Sequence, residues 1–142
     1  MPTLSFAQLT NKFTPEFYTV IDTSKVIHSC NGSDPEDIKK GWIISFKEMS
    51  ILENNFKKIH KYFSGDRIDS LIFFTFQYFG VWKDSSKCIY INALPTNEMA
   101  EWERFKWKTE PITVCGGGDN FWRALFNIDT REFIYLEFNA PR

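Results

Sequence analysis

At 142 residues the chain is long enough for one domain, residues 1–142, and a chain of this size buries roughly 68–70% of its extended surface without disulfide or metal staples. Hydrophobic residues at 43% and charged residues at 25% exclude a disordered or fibrous composition. The net charge of -1, with both signs mixed along the chain, argues against a duplex nucleic-acid binder and against a polybasic membrane-surface protein.

Aromatic content is the unusual quantity. Fifteen Phe, five Trp and five Tyr make up 18% of the chain. Such a core is built from large flat side chains, and surplus Trp and Tyr on a surface are the residues most often found as interface anchors. Cys30, Cys88 and Cys115 are odd in number and widely spaced, with no CxxC pair, which points to unbridged thiols in a reducing compartment. Met1-Pro2-Thr3-Leu4-Ser5 lacks the basic stretch that opens a secretory signal. The uncharged run from Ser70 to Trp82 falls short of the about 20 residues that a spanning helix needs. The expectation is a cytoplasmic protein with no membrane partner.

In chain order, Phe6, Leu9 and Phe13 fit one face of a short N-terminal helix capped by Thr3 or Ser5 and broken by Pro15. Phe17 to Ile21 reads as a strand, and Asp34-Pro35-Glu36-Asp37 as the start of a second short helix that ends before Gly41. Ser50 to Phe63 carries the clearest helical period, with Leu52, Phe56, Ile59 and Phe63 on one face. Ser50 and Glu53 fit a capping box there, and Lys57, Lys58 and Lys61 suit its C-terminal dipole.

Leu71 to Trp82 is dense in Phe, Ile, Tyr and Val. Periodicity fits a buried helix as well, but the β-branched and aromatic content favours a strand buried on both faces. Lys83 to Lys87 reads as a turn and Cys88 to Asn92 as the returning strand, ended by Pro95. Thr96 then caps a short helix through Met99 and Trp102. Ile112 to Cys115, Phe121 to Phe126 and Phe133 to Phe138 read as strands, the last two joined by an Asn127–Arg131 turn. These elements add up to an α+β domain: an antiparallel sheet packed against a central helix, with short N-terminal helices.

No constellation spells out a reaction. Gly116-Gly117-Gly118-Asp119 lacks the Lys-Ser/Thr of a P-loop and precedes a strand, so glycine's backbone freedom in a turn explains it better than phosphate binding. His28 and Cys30 are a possible metal pair, but structural zinc needs four ligands and the close set stops at two, so neither metal nor cofactor is expected. Glu98, Glu101, Glu103 and Glu110 lie among Trp102, Phe105 and Trp107. A hydrolytic acid pair is one reading, and a solvated or partner-binding face with aromatic anchors the better one. Lys57, Lys58, His60 and Lys61 form a basic helix face that could touch single-stranded nucleic acid; an ordinary solvated face accounts for it more simply, so nucleic acid is an unfavoured partner.

The C-terminal pattern is Gly-Gly-Asp, an aromatic strand Phe121-Trp122-Arg123-Ala124-Leu125-Phe126, the turn Asn127-Ile128-Asp129-Thr130, then a strand from Phe133 closed by Asn139. It resembles the C-terminal end of bacterial immunity proteins, the small antitoxins of polymorphic or contact-dependent growth-inhibition toxin systems. The likeness begins at Gly116, and where many members close with Asn-Gly, here Ala140 follows Asn139. The resemblance implies a non-enzymatic protein that neutralises a cognate toxin domain, such as a nuclease, by occluding it. The expected anchors are then Trp102, Trp107 and Trp122 for apolar contact, with Glu98, Glu101, Glu103 and Asp119 meeting basic groups on the toxin. The alternatives are a single-stranded nucleic-acid-binding domain and a small hydrolase using an acidic pair.

Overall fold

Two ten-residue strands form the centre of the sheet, and the order of the remaining elements follows from how each side of them is covered. The computed structural model describes residues 12–21, 38–39, 41–62, 70–114 and 120–139. Its strands are β1 (Phe17–Val20), β2 (Ile38–Lys39), β3 (Phe74–Lys83), β4 (Ser86–Pro95), β5 (Trp122–Asn127) and β6 (Glu132–Phe138). The helices are α1 (Phe46–Asn55), which continues as the 3₁₀ segment η1 (Phe56–Tyr62), the short turns η2 (Leu71–Phe73) and η3 (Thr96–Glu98), and α2 (Glu101–Lys106).

The strands run in the order β1-β3-β4-β5-β6, with β2 pairing the far end of β3. All pairs are antiparallel except β1 with β3. A parallel pair needs a long crossover rather than a hairpin, and α1 with η1 lies in the chain between those two strands. The fold is α+β and dominated by its sheet, as the composition of its segments predicts.

The two hairpins explain themselves locally. Asp84 takes φ 54° in a two-residue turn between Lys83 and Ser86, a conformation that Asp tolerates better than most residues. At the second turn the Asn127 side chain accepts from the amides of Asp129 and Thr130, at 2.9 and 3.1 Å. On β6, Ile134 is an extra residue: Phe126 faces Phe133 while Leu125 faces Tyr135.

One sheet face is apolar and carries the helix. Leu52, Phe56 and Ile59 point down from α1 and η1 and are fully buried, as their spacing predicts. They meet Phe76, Trp122, Phe126 and Phe133. The rings meet tilted or edge to face: Phe13 on Phe56 at 5.4 Å and 83°, Phe74 on Trp122 at 5.6 Å and 72°. That is the preferred arrangement of aromatic quadrupoles. Gly80 lets this layer close at one end. A Cβ there would sit 2.1 Å from the Trp42 carbonyl oxygen, and Trp42 donates its backbone N–H to the Gly80 carbonyl and its indole N–H to the Val81 carbonyl.

Five local readings need correction. The central helix starts at Phe46, not Ser50. Ser45 is the N-cap, with its hydroxyl facing the Glu48 amide and the Glu48 carboxylate accepting from the Ser45 amide at 2.9 Å. Both Ser45-x-x-Glu48 and Ser50-x-x-Glu53 fit a capping box; the earlier one wins because Ile44 and Met49 flank it as a buried staple. Ile112 to Val114 is irregular chain rather than a strand. The expected Thr96–Trp102 helix is two pieces, η3 and α2, and the Thr96 hydroxyl bonds the Thr75 hydroxyl instead of capping. The strand expected from Leu71 begins only at Phe74, after η2. The second short helix, expected from Asp34 to just before Gly41, is contradicted at Ile38–Lys39, which pair with Lys83 and Trp82 as β2. The rest of that helix lies outside the described residues, as does the first expected helix apart from residues 12–14, which are irregular. His28, Cys30, Phe63, Cys115 and the glycine run with Asp119 also lie outside them.

Candidate partner-binding surface

The opposite sheet face is crossed by a polar row. Thr19, Gln77, Asn92, Arg123 and Glu137 stand opposite one another on β1, β3, β4, β5 and β6. A row of this kind on a buried face needs partners, and residues 107–114 supply them. Gln77 donates to the carbonyls of Trp107 and Glu110, at 2.7 and 2.6 Å, and accepts from the Ile112 amide and the Asn92 side chain, at 2.9 and 3.0 Å. Its full hydrogen-bonding capacity is used. Asn92 donates to the Ile112 carbonyl, Asn139 to the Val114 carbonyl, and the Arg123 guanidinium to Asn139. Beneath lies a cavity of about 20 Å³, lined in part by Tyr90, Asn92, Arg123 and Asn139, which matches a single water.

This chain segment holds α2 against the sheet where β4 ends and β5 begins. Met99, Leu94, Ile112 and Phe121 make a small apolar cluster, with Trp107 and Val114 packed against it. Glu103 turns inward and is 5% exposed; one carboxylate oxygen accepts from the Ala100 amide at 2.8 Å, which serves as the helix's N-terminal cap. Ala100 has no hydroxyl to return the bond, so half of a capping box is made.

The outward side of α2 is different. Trp102 is 54% exposed and Phe105 80% exposed, three residues apart and so on one side of the helix. Glu101, Arg104 and Lys106 around them are exposed, as is Glu98, which accepts from Asn120 at 3.0 Å. Phe17, at the start of β1, and Ile72 and Phe73 in η2 are also exposed. The strand registers place them at the same end of the sheet as η3.

Of the residues expected to bind a partner, Glu98, Glu101 and Trp102 are at this surface. Trp107 is half-buried beside it, with the Lys108 ammonium 5.6 Å from its ring centre. Glu103 faces inward. Trp122 is fully buried between Phe74 and Phe76, so its indole is core rather than an anchor: a tryptophan on a central strand is inside whichever face it takes when both faces are covered. Asp119 lies outside the described residues. Phe105, the most exposed aromatic of the group, was absent from the expected set; its spacing from Trp102 was the available signal.

The basic helix face is partly committed elsewhere. Lys58 lies 3.1 Å from the Glu132 carboxylate and donates to the Arg131 carbonyl at 3.0 Å, and Lys61 lies 3.9 Å from Glu132. These contacts pin η1 to the β5–β6 hairpin. Cys88 is buried, and burial pushes its thiol up to about 11, against the smaller opposing effect of Lys83, so at neutral pH it is a thiol and a poor nucleophile. Burial likewise pushes the Tyr78 hydroxyl well above its ordinary value. Among the described residues no group of three or more His, Cys, Asp or Glu is placed to hold a metal, and no helix is long and apolar enough to cross a membrane. Compared with known proteins, the chain matches no family model, no curated protein and no solved structure.

Proposed function

We propose that this protein is a non-catalytic binding domain that neutralises a cognate toxin domain by occlusion, with the outward face of α2 as the centre of its contact. The supporting observation is the Trp102–Phe105 pair, exposed side by side on a helix whose other side is tied down by Glu103, Met99 and Trp107. Aromatic anchors on a supported element lose little conformational freedom on binding, which is where affinity is usually won. The ring of Glu98, Glu101, Arg104 and Lys106 supplies charges of both signs that can select a partner. The toxin domain as partner rests on the resemblance of the C-terminal hairpin to immunity proteins. An interface of about 1,600 Å² would extend beyond α2 to Phe17, Ile72 and Phe73.

The test is titration against the purified toxin domain encoded beside the gene. Wild type binds and inhibits it; Trp102→Ala weakens binding by about 2 kcal/mol or more, close to thirtyfold, as a central anchor should. Tight binding that is indifferent to Trp102→Ala, Phe105→Ala and Glu101→Lys would move the interface elsewhere. Turnover of a substrate, or oligonucleotide binding at physiological salt with no toxin bound, would overturn the function itself.

A further inference from the structure

We propose that residues 96–114 form a strap that opens from the sheet as one unit while the β3–β4–β5 core stays folded. Four observations carry this. No ladder joins the strap to a strand among the described residues. Its backbone bonds to the sheet are made by side chains: Thr19 to the Lys108 carbonyl, Gln77 to Trp107, Glu110 and Ile112, Asn92 to Ile112, and Asn139 to Val114. Its apolar contacts form a cluster separate from the helix-side core. The second oxygen of the Glu103 carboxylate is buried with no hydrogen-bond partner, and a separate water-sized cavity lies between residues 111–114 and the sheet.

The energetics of opening follow from these contacts. A side-chain amide released from a backbone carbonyl regains water, so each bond holds the closed state by only its net difference. Opening also hydrates the half-satisfied Glu103 carboxylate, which removes a cost of the closed state. Detaching β3 or β4 instead would break a ladder on both sides and expose the aromatic core. The strap is therefore the lower of two opening levels, a sub-global unit of the kind hydrogen exchange resolves. Because α2 rides on it, the exposed Trp102–Phe105 pair is presented only in the closed state; this last consequence rests on the partner-binding reading, while the opening itself does not.

Hydrogen exchange on the intact chain tests the proposal without any partner. The amides of Arg104, Trp107, Glu110 and Ile112, bonded respectively to Ala100, Glu103, Lys106 and the Gln77 side chain, should exchange at one common level, at least tenfold faster than the paired amides of β3 and β4. Met99→Ala, which trims the strap's own cluster, should raise all four rates by a similar factor of ten or more and leave β3 and β4 nearly unmoved. Gln77→Leu should do the same more strongly, and Met99→Ala carries the test if that variant does not fold. Strap amides as protected as β3 and β4, or a Met99→Ala effect confined to the residues next to position 99, would overturn it.

Discussion

The two faces of this sheet are covered by different kinds of chain, and the sheet's own side chains differ to match. On one side α1 and η1 satisfy their backbone internally, so β3, β4 and β5 can present Phe74, Phe76, Ile91, Trp122 and Phe126 and nothing polar needs to be supplied. On the other side residues 107–114 have irregular backbone, and the same strands bring Gln77, Asn92 and Arg123, with Asn139 beyond β6, to meet it. A cover without regular structure transfers its hydrogen-bonding demand to the surface it lies on. The first face is stabilised by one large area of packed rings, the second by a few placed amides between two smaller apolar clusters, one around Leu94, Met99, Ile112 and Phe121 and one around Phe79, Val81, Tyr90 and Leu125.

Truncation separates the two most sharply. Phe56→Ala should cost about 3–5 kcal/mol in urea unfolding with an unchanged denaturant slope, because it opens a cavity among rings that cannot collapse onto one another. A cost under about 1 kcal/mol would mean that the helix-side core is not the dominant one. Gln77→Leu strands three backbone groups of the strap, at about 1–3 kcal/mol for each buried group left unpaired. Here the loss is limited, because the strap can detach and hydrate. The expected result is therefore a smaller total than that sum, with a reduced denaturant slope, since the native state of the variant has already exposed surface. Equal slopes for the two variants would erase the distinction between the faces.

The same contrast decides what could be read in advance. The helix-side face was legible: the 3.6-residue period of Leu52, Phe56 and Ile59, the aromatic run of β3, and the Asn127 turn all carry local signals that tertiary structure kept. The strap face was not, because its order is written across strands. Gln77, Asn92 and Arg123 are single polar residues inside apolar runs, and only the register that aligns them makes a row. Ile112 to Val114 has strand composition, yet the partners of its backbone are side chains rather than a neighbouring strand. Trp122 was misplaced for a related reason: composition says that some aromatics are outside, but which ones depends on a cover that is distant in sequence. At the proposed surface Trp102, Glu101 and Glu98 were legible from their aromatic-acidic mixture, whereas the inward turn of Glu103 depends on its bond to the Ala100 amide.

Smaller effects sharpen the helix side. Ser45→Ala removes the cap of α1 and should cost about 1 kcal/mol, whereas Ser50→Ala, on the exposed face of the helix, should stay within about 0.5 kcal/mol. The reverse order would restore the later helix start. Glu48 adds a pH dependence. Burial raises its carboxyl, but hydrogen bonds from Ser45 and the Lys87 ammonium at 3.7 Å outweigh that and hold it below 4.5. A carboxyl depressed in the folded state contributes stability above its unfolded value and loses it as pH falls through the folded one. Wild type should thus lose more stability than Glu48→Gln between about pH 5 and pH 3, by urea midpoints at matched salt.

The smallest effect on stability is expected where the effect on binding is largest. Trp102 and Phe105 stand on the strap but face away from its cluster, so Trp102→Ala with Phe105→Ala should change unfolding by no more than about 0.5 kcal/mol for each substitution. Glu101→Lys should be equally silent, because Glu101 is exposed and outside the Glu103 cap. The inward residues of the strap behave oppositely: Met99→Ala trims the strap's own cluster and should loosen it, although Met99 is only three residues from Trp102. Comparing these variants separates presentation from contact. If the outward pair is the contact, its loss weakens the partner while the melting temperature stays put. Loss of the Met99 side chain would weaken the partner through a strap that is less often closed, and a large excess of partner would restore the complex at the cost of apparent affinity. A drop in melting temperature for the outward double variant would show that these rings pack within the fold, and the α2 surface would then have to be abandoned as the binding face.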